Sequence, residues 1–197
     1  NHVRVYSELK GVGTVYVYDP VADNANRAKD LATPCGSIEE FIGKVDAVSI
    51  CVPTKYHYEV AKKVINEEVD CLIEKPITLK VEDAEELLGL ISKKNITAGV
   101  GHIERFNPIV NEIARITNRP DYVEIKRHNP TSNRITDASV VEDLMIHDID
   151  IVFNVLFKGD DNYKIYSAGN RNICEAMAVF DGSVVALSAS RMSSKKF

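Results

Sequence analysis

Asp46-Ala47-Val48-Ser49-Ile50-Cys51-Val52-Pro53-Thr54 is the stretch on which the fold turns. Residues 46–52 form a nearly continuous apolar run, the pattern of a strand covered on both faces, as in a parallel sheet flanked by helices. Val52-Pro53-Thr54 closes that strand, with His57 one turn further on, and ligands of such sheets bind at strand ends. Downstream, Lys55 to Glu68 places Tyr58, Ala61, Val64 and Ile65 at helical spacing; Cys71-Leu72-Ile73 reads as a short strand, Val81 to Lys94 as a helix and Thr97 to Val100 as a further strand. Upstream, His2 to Leu9 reads as a helix, Thr14 to Tyr18 as a strand ending at Asp19-Pro20, and Ala22 to Leu31 as a helix. Strands alternating with helices predict an α/β fold with a parallel, doubly wound sheet.

The pattern changes near His102, which divides the chain into domains 1–102 and 103–197. Ile109 to Thr117 is helical, Tyr122 to Lys126 a strand, and Asn129 to Asp137 a polar loop. A strongly apolar helix over Ala138 to Phe157 follows, then strands at Tyr163 to Ser167, Ala176 to Phe180 and Val184 to Ser190. Asp181-Gly182 between the last two is a hairpin signal. This half predicts an α+β domain with an open antiparallel sheet.

Bulk properties exclude several classes. A net charge of -5 gives no electrostatic footprint for nucleic acid. The apolar runs are too short to span a bilayer and no basic amphipathic helix marks a membrane surface. Cys35, Cys51, Cys71 and Cys174 lack metal-ligand spacing and read as reduced thiols of a cytoplasmic protein, Cys51 and Cys71 inside buried strands.

Candidate chemistry begins in the apolar helix. Asp143, His147, Asp150 and Asn154 are spaced four, three and four apart, so on an α-helix they form one polar stripe, and such a stripe faces a pocket. Asp143 and His147 admit three readings: a proton-transfer dyad, a metal pair or a satisfied core pair. Glu74-Lys75-Pro76 follows a strand and presents Lys75 either as a positioned electrophile or as an exposed lysine. Asp19 can accept the ribose hydroxyls of a dinucleotide, which would disfavour a 2′-phosphate, or can N-cap the next helix with Pro20 at its first position. Gly11-Val12-Gly13 imitates a dinucleotide loop, but a helix precedes it and a strand follows, so it is a turn.

Together, Val52-Pro53-Thr54 with His57, Glu74-Lys75-Pro76, Gly101-His102-Ile103-Glu104-Arg105-Phe106-Asn107-Pro108 and Asp143-x-x-x-His147 with Asp150 resemble the Gfo/Idh/MocA family of nicotinamide-dependent sugar and polyol dehydrogenases. The resemblance implies a Rossmann domain followed by an α/β domain whose open sheet supports homo-oligomers of the full-length protein. It implies NAD as cofactor, with NADP the alternative, and a sugar, sugar-nucleotide or polyol substrate. It assigns Lys75 to the nicotinamide ribose and the substrate hydroxyl, His147 to acid/base work with Asp143 as its partner, and Asp19, Val52, Pro53, Thr54, His57 and Glu74 to the cofactor. Within the family, His102 to Pro108 with Arg105, the loop with Arg127, Arg134 and Asp137, and Ser190-Arg191 with Lys195-Lys196 resemble members oxidising UDP-N-acetylglucosamine at the 3-position; the arginines suit a diphosphate, which guanidinium binds bidentately, or are ordinary solvated arginines of a surface loop.

The family's first strand and G-x-G-x-x-G loop have no counterpart here, nor have its last sheet strands. The expectation is therefore a fragment that binds NAD poorly and is itself inactive. Two other functions compete: a non-catalytic binding or regulatory protein that kept the fold, and a metal-dependent hydrolase built on His147-Asp148.

Overall fold

A computed structural model describes residues 1–117, 119–130 and 138–196. The chain divides into two compact units, 1–52 with 56–74 and 80–99, and 53–55 with 75–79 and 100–197.

The first unit is built from α1 (His2–Glu8), β1 (Tyr16–Val17), α2 (Ala22–Asn26), β2 (Thr33–Pro34), α3 (Ile38–Ile42), β3 (Ala47–Ile50), α4 (His57–Asn66), β4 (Asp70–Ile73), α5 (Val81–Lys94) and β5 (Ala98–Val100). β1 and β2 form one parallel pair, and β3-β4-β5 a second sheet in which β3 and β4 run parallel from Ala47↔Asp70 to Ile50↔Ile73. The helical spacing of α4 is used as expected: Ala61, Val64 and Ile65 are fully buried together with Ile50, Ile73 and Leu87. Helix ends follow local chemistry. Ser37 caps α3 by accepting the Glu40 amide at 3.1 Å. α5 carries Glu82 and Asp83 in its first turn and Lys93 and Lys94 in its last, each opposite in sign to the helix dipole, and stops at Asn95 in the left-handed conformation.

Two expectations change here. The helix expected from Ala22 to Leu31 ends at Asn26. Cys71 is buried, but Cys51 lies one residue past β3 and is exposed.

The second unit contains α6 (Pro108–Ile116), β6 (Tyr122–His128), α7 (Ile146–Ile151), β7 (Tyr163–Gly169), β8 (Ile173–Phe180) and β9 (Ser183–Ser190). Asn107 caps α6, with Pro108 at the first helical position where no amide is missed. The sheet order is β6-β9-β8-β7. Its last three strands are antiparallel as expected, but β6 runs parallel to β9, so the sheet is mixed. The reason is topological. β7, β8 and β9 are joined by tight turns, whereas β6 reaches β7 only through the long helical connection, which lets the chain return in the same direction.

That connection is α7 flanked by π-helical turns, Val141–Met145 and Val152–Leu156. Val140, Leu144, Met145, Val152 and Phe157 pack on Cys174, Ala178, Phe180, Val185, Leu187 and Ala189 of the sheet. Phe157 stacks on Phe180 with ring centroids 4.1 Å apart. Among the described residues, no helix is long and apolar enough to cross a membrane.

Candidate active site

The site of the second unit is a set of charged side chains buried among apolar ones. Burying a carboxylate is costly unless a cation and hydrogen bonds accompany it, and each acid here has such a partner. Lys75, held next to a cis peptide bond to Pro76, donates from Nζ to the Asp143 carbonyl at 2.7 Å and to Asp143 Oδ1 at 3.1 Å. The other Asp143 oxygen accepts from Arg191 Nη2 at 3.4 Å. Arg127 grips Asp148 through Nε and Nη2 at 2.6–3.1 Å and lies 3.5 Å from Glu104. Arg105 forms a two-point bridge to Asp150 at 2.7 and 2.5 Å, and Asn154 donates to the same carboxylate at 3.0 Å.

His147 sits half-buried within this frame. Its Nδ1 is buried without a hydrogen-bond partner. The pairing expected from the four-residue spacing does not form, because both Asp143 oxygens are directed to Lys75 and Arg191 instead. The π-helical turn that begins at Val141 is part of the reason. Its hydrogen bonds run i to i+5 rather than i to i+4, so residues four apart no longer stack as on an α-helix. Burial lowers the His147 pKa to about 4, and the charges of Lys75 and Arg127 push the same way against Glu104. The imidazole is therefore neutral at physiological pH and able to accept a proton. Burial likewise lowers His102, with nearby Asp150 opposing. Asp150 is held below the usual carboxylate range, since Arg105 and His102 outweigh its burial.

The expected polar stripe is thus only partly realised. Asp143 and Asp150 are buried and Asn154 is exposed, while Asp148, which the α-helical spacing left off the stripe, is 1% exposed and carries the Arg127 bridge. Asp148, Glu104 and Arg191 are the residues that spacing did not single out as a network. The available signal was chemical: acids within so apolar a segment require cations. The arginines read as diphosphate ligands are differently engaged. Arg105, Arg127 and Arg191 each bind a carboxylate of this same unit, and Arg134 lies outside the described residues.

In the first unit, Asp19 follows β1 half-buried. Its Oδ1 accepts the Val21 amide at 2.8 Å and Asn24 Nδ2 at 3.1 Å. The N-cap of α2 is Val21 rather than Asp19, so Asp19 shapes the turn before the helix. Val52 and Glu74 stand just past the C-terminal ends of the parallel strands β3 and β4, and the Glu74 amide donates to the Ile50 carbonyl at 3.0 Å. The Glu74 carboxylate meets His2 Nε2 at 3.0 Å. His57 is 1% exposed and donates to the Val52 carbonyl at 2.9 Å. It therefore braces the strand-end loop and offers little surface to a ligand. Pro53 is exposed and Thr54 half-buried, both grouped with the second unit. Among the described residues, the side chains close enough to hold a metal ion together are His2, Cys51 and Glu74, a group without His147 or Asp148.

Residues 1–102 match the family described as an oxidoreductase family with an NAD-binding Rossmann fold, Gfo/Idh/MocA. The UDP-N-acetylglucosamine 3-dehydrogenase of Acidithiobacillus ferrooxidans is 31% identical over 97% of this chain and 63% of its own length. A solved structure of that enzyme superimposes with a TM-score of 0.88 over 99% of this chain and 67% of the other. Inositol 2-dehydrogenase of Corynebacterium glutamicum is 24% identical over 76% of this chain and 48% of its own. This chain thus spans less than two thirds of the length of the curated relatives named. With more than half of its residues matched, and with the strand-end residues and buried charges described above, the chain belongs to the Gfo/Idh/MocA family of NAD-binding Rossmann-fold oxidoreductases.

Proposed function

We propose that the protein is an NAD-dependent dehydrogenase that oxidises a secondary alcohol of a sugar, sugar nucleotide or polyol, with His147 as acid/base and Lys75 assisting. The observation that carries this reading is the half-buried imidazole of His147, whose buried Nδ1 makes no hydrogen bond within the protein, in the same unit as the Asp143 carboxylate that fixes the Lys75 ammonium. A hydroxyl group loses its proton only if a base is free to take it, and a buried histidine near two cations remains in that form. As the proton leaves, charge develops on the substrate oxygen, and the Lys75 ammonium stabilises it at close range in a poorly solvated site. Asp143 serves this chemistry by holding Lys75.

The first unit suits the cofactor. Asp19 keeps Oδ2 clear of its own turn, at the end of a strand, where a carboxylate accepts ribose hydroxyls and repels a 2′-phosphate. Val52 and Glu74 stand at the strand ends where nucleotides bind in such sheets. A bound nicotinamide supplies the hydride acceptor. Among substrates, UDP-N-acetylglucosamine is favoured by the named relative and its 31% identity.

His147→Ala in the intact protein should lower kcat by about a hundredfold or more, the usual share of general base catalysis, with KM little changed. Full turnover by that variant would remove His147 from the mechanism.

A further inference from the structure

We propose that Arg191 is a positioning residue that acts through Asp143 to fix Lys75, an inference that rests on the dehydrogenase reading above. Arg191 immediately follows β9, an interior strand paired on both sides, so its backbone has a rigid base. Its amide donates to the Asn172 carbonyl at 2.9 Å, and the neighbouring Arg171 carbonyl accepts from the Val140 amide at 2.8 Å. From there the side chain of Arg191, a residue only 7% exposed, reaches the start of the long helical connection. One nitrogen, Nη2, divides its two hydrogens among three acceptors, the Ala138 carbonyl at 2.9 Å, the Ser139 carbonyl at 2.8 Å and, as the longer shared contact, Asp143 Oδ2 at 3.4 Å.

The consequence is geometric. Asp143 is held at one oxygen by Arg191 and at the other by Lys75, so its carboxylate cannot rotate without breaking a charged contact. Lys75 is then defined by two acceptors on one residue, the Asp143 carbonyl and Oδ1. Arginine suits this role better than lysine, since its planar fork stays charged and directs several donors at once.

The test is labelling of lysine amines with acetic anhydride, read by mass spectrometry of peptides, on the intact protein and on R191Q, R191K, D143N and the D143N/R191Q double variant. The inference expects Lys75 to label about three times faster or more in R191Q, while Lys126 and Lys164 label as in the parent. R191K should fall between. D143N should itself speed Lys75 labelling, and adding R191Q to it should change the rate by less than about twofold, since coupled residues are not additive. Steady-state kinetics should show kcat of R191Q reduced roughly 10- to 100-fold with KM within about threefold, as a small misplacement of a catalytic group produces. An unchanged Lys75 rate in R191Q, or an R191Q effect as large in the D143N background as alone, overturns the inference. If the parent turns over no sugar or polyol, the dehydrogenase reading fails while the labelling still decides the role of Arg191. If R191Q does not fold, R191K carries the same comparison.

Discussion

A neutral His147 has a measurable signature. Its pKa, lowered to about 4 by burial and by the cations Lys75 and Arg127, places the base form in excess throughout the ordinary pH range. The direction follows directly: proton uptake inactivates the base, so kcat/KM for alcohol oxidation should fall only as pH drops through about 4, whereas an ordinary histidine would impose its limb near 6.5. A pH profile of kcat/KM with an acid limb at 6.5 or above would contradict that environment. Asp19 gives a second test at this scale. If Asp19 is the group proposed to repel a 2′-phosphate, Asp19→Ser should raise the ratio of kcat/KM for NADP to that for NAD by about tenfold or more; an unchanged ratio would place discrimination elsewhere. Residue chemistry was partly legible in sequence. Glu74-Lys75-Pro76 and Asp143-x-x-x-His147 identify themselves by residue type and spacing. The partner of Asp143 does not, because Lys75 lies 68 positions away and Arg191 lies 48 away, and no local period connects them.

In the first unit, α4 was legible from its apolar spacing and α5 from its composition and charge distribution, whereas the five-residue α3 is too short to show a period and α2 stops at Asn26 instead of reaching Leu31. The long apolar helix was legible as an element but not in its winding. Two π-helical turns bring Asp148 into the buried network, and hydrophobic residues on nearly every side leave little pattern to report that change. The parallel pairing of β6 with β9 was hidden for another reason, since hairpin signals describe neighbours in sequence and not partners across a helix. Two substitutions test the packing of these elements. Phe180 is 2% exposed and packs against Phe157, Phe153 and Tyr163. Phe180→Ala should cost about 3–5 kcal/mol in denaturant unfolding, and a loss below about 1 kcal/mol would show that this core does not depend on the ring. Gly169 ends β7 at φ +154, where an added Cβ would lie 2.2 Å from the Ile173 carbonyl oxygen. Gly169→Ala should therefore lower the thermal midpoint, and an unchanged midpoint would contradict the close approach of β7 and β8.

At the scale of the molecule, the residues suited to a nucleotide fall mainly in the first compact unit and those suited to proton transfer in the second. In the sequence, the alternating first half gives way to another pattern near residue 102, and the family match covers residues 1–102. The segments 53–55 and 75–79 group with the second unit, an assignment that a linear reading of elements could not make. The site also carries its own charge balance: Asp143, Asp148 and Asp150 are each answered by Lys75 or an arginine of the same unit. The reaction proposed is transfer of hydride from the carbon that bears the substrate hydroxyl to a nicotinamide, with the hydroxyl proton passing to His147. The most direct measurement incubates the intact protein and NAD with UDP-N-acetylglucosamine deuterated at the carbon to be oxidised, and weighs the reduced cofactor by mass spectrometry. The account predicts a reduced cofactor heavier by one deuterium in the native protein and almost none formed by His147→Ala. A reduced cofactor without the label, or equal labelling in the two proteins, would contradict it.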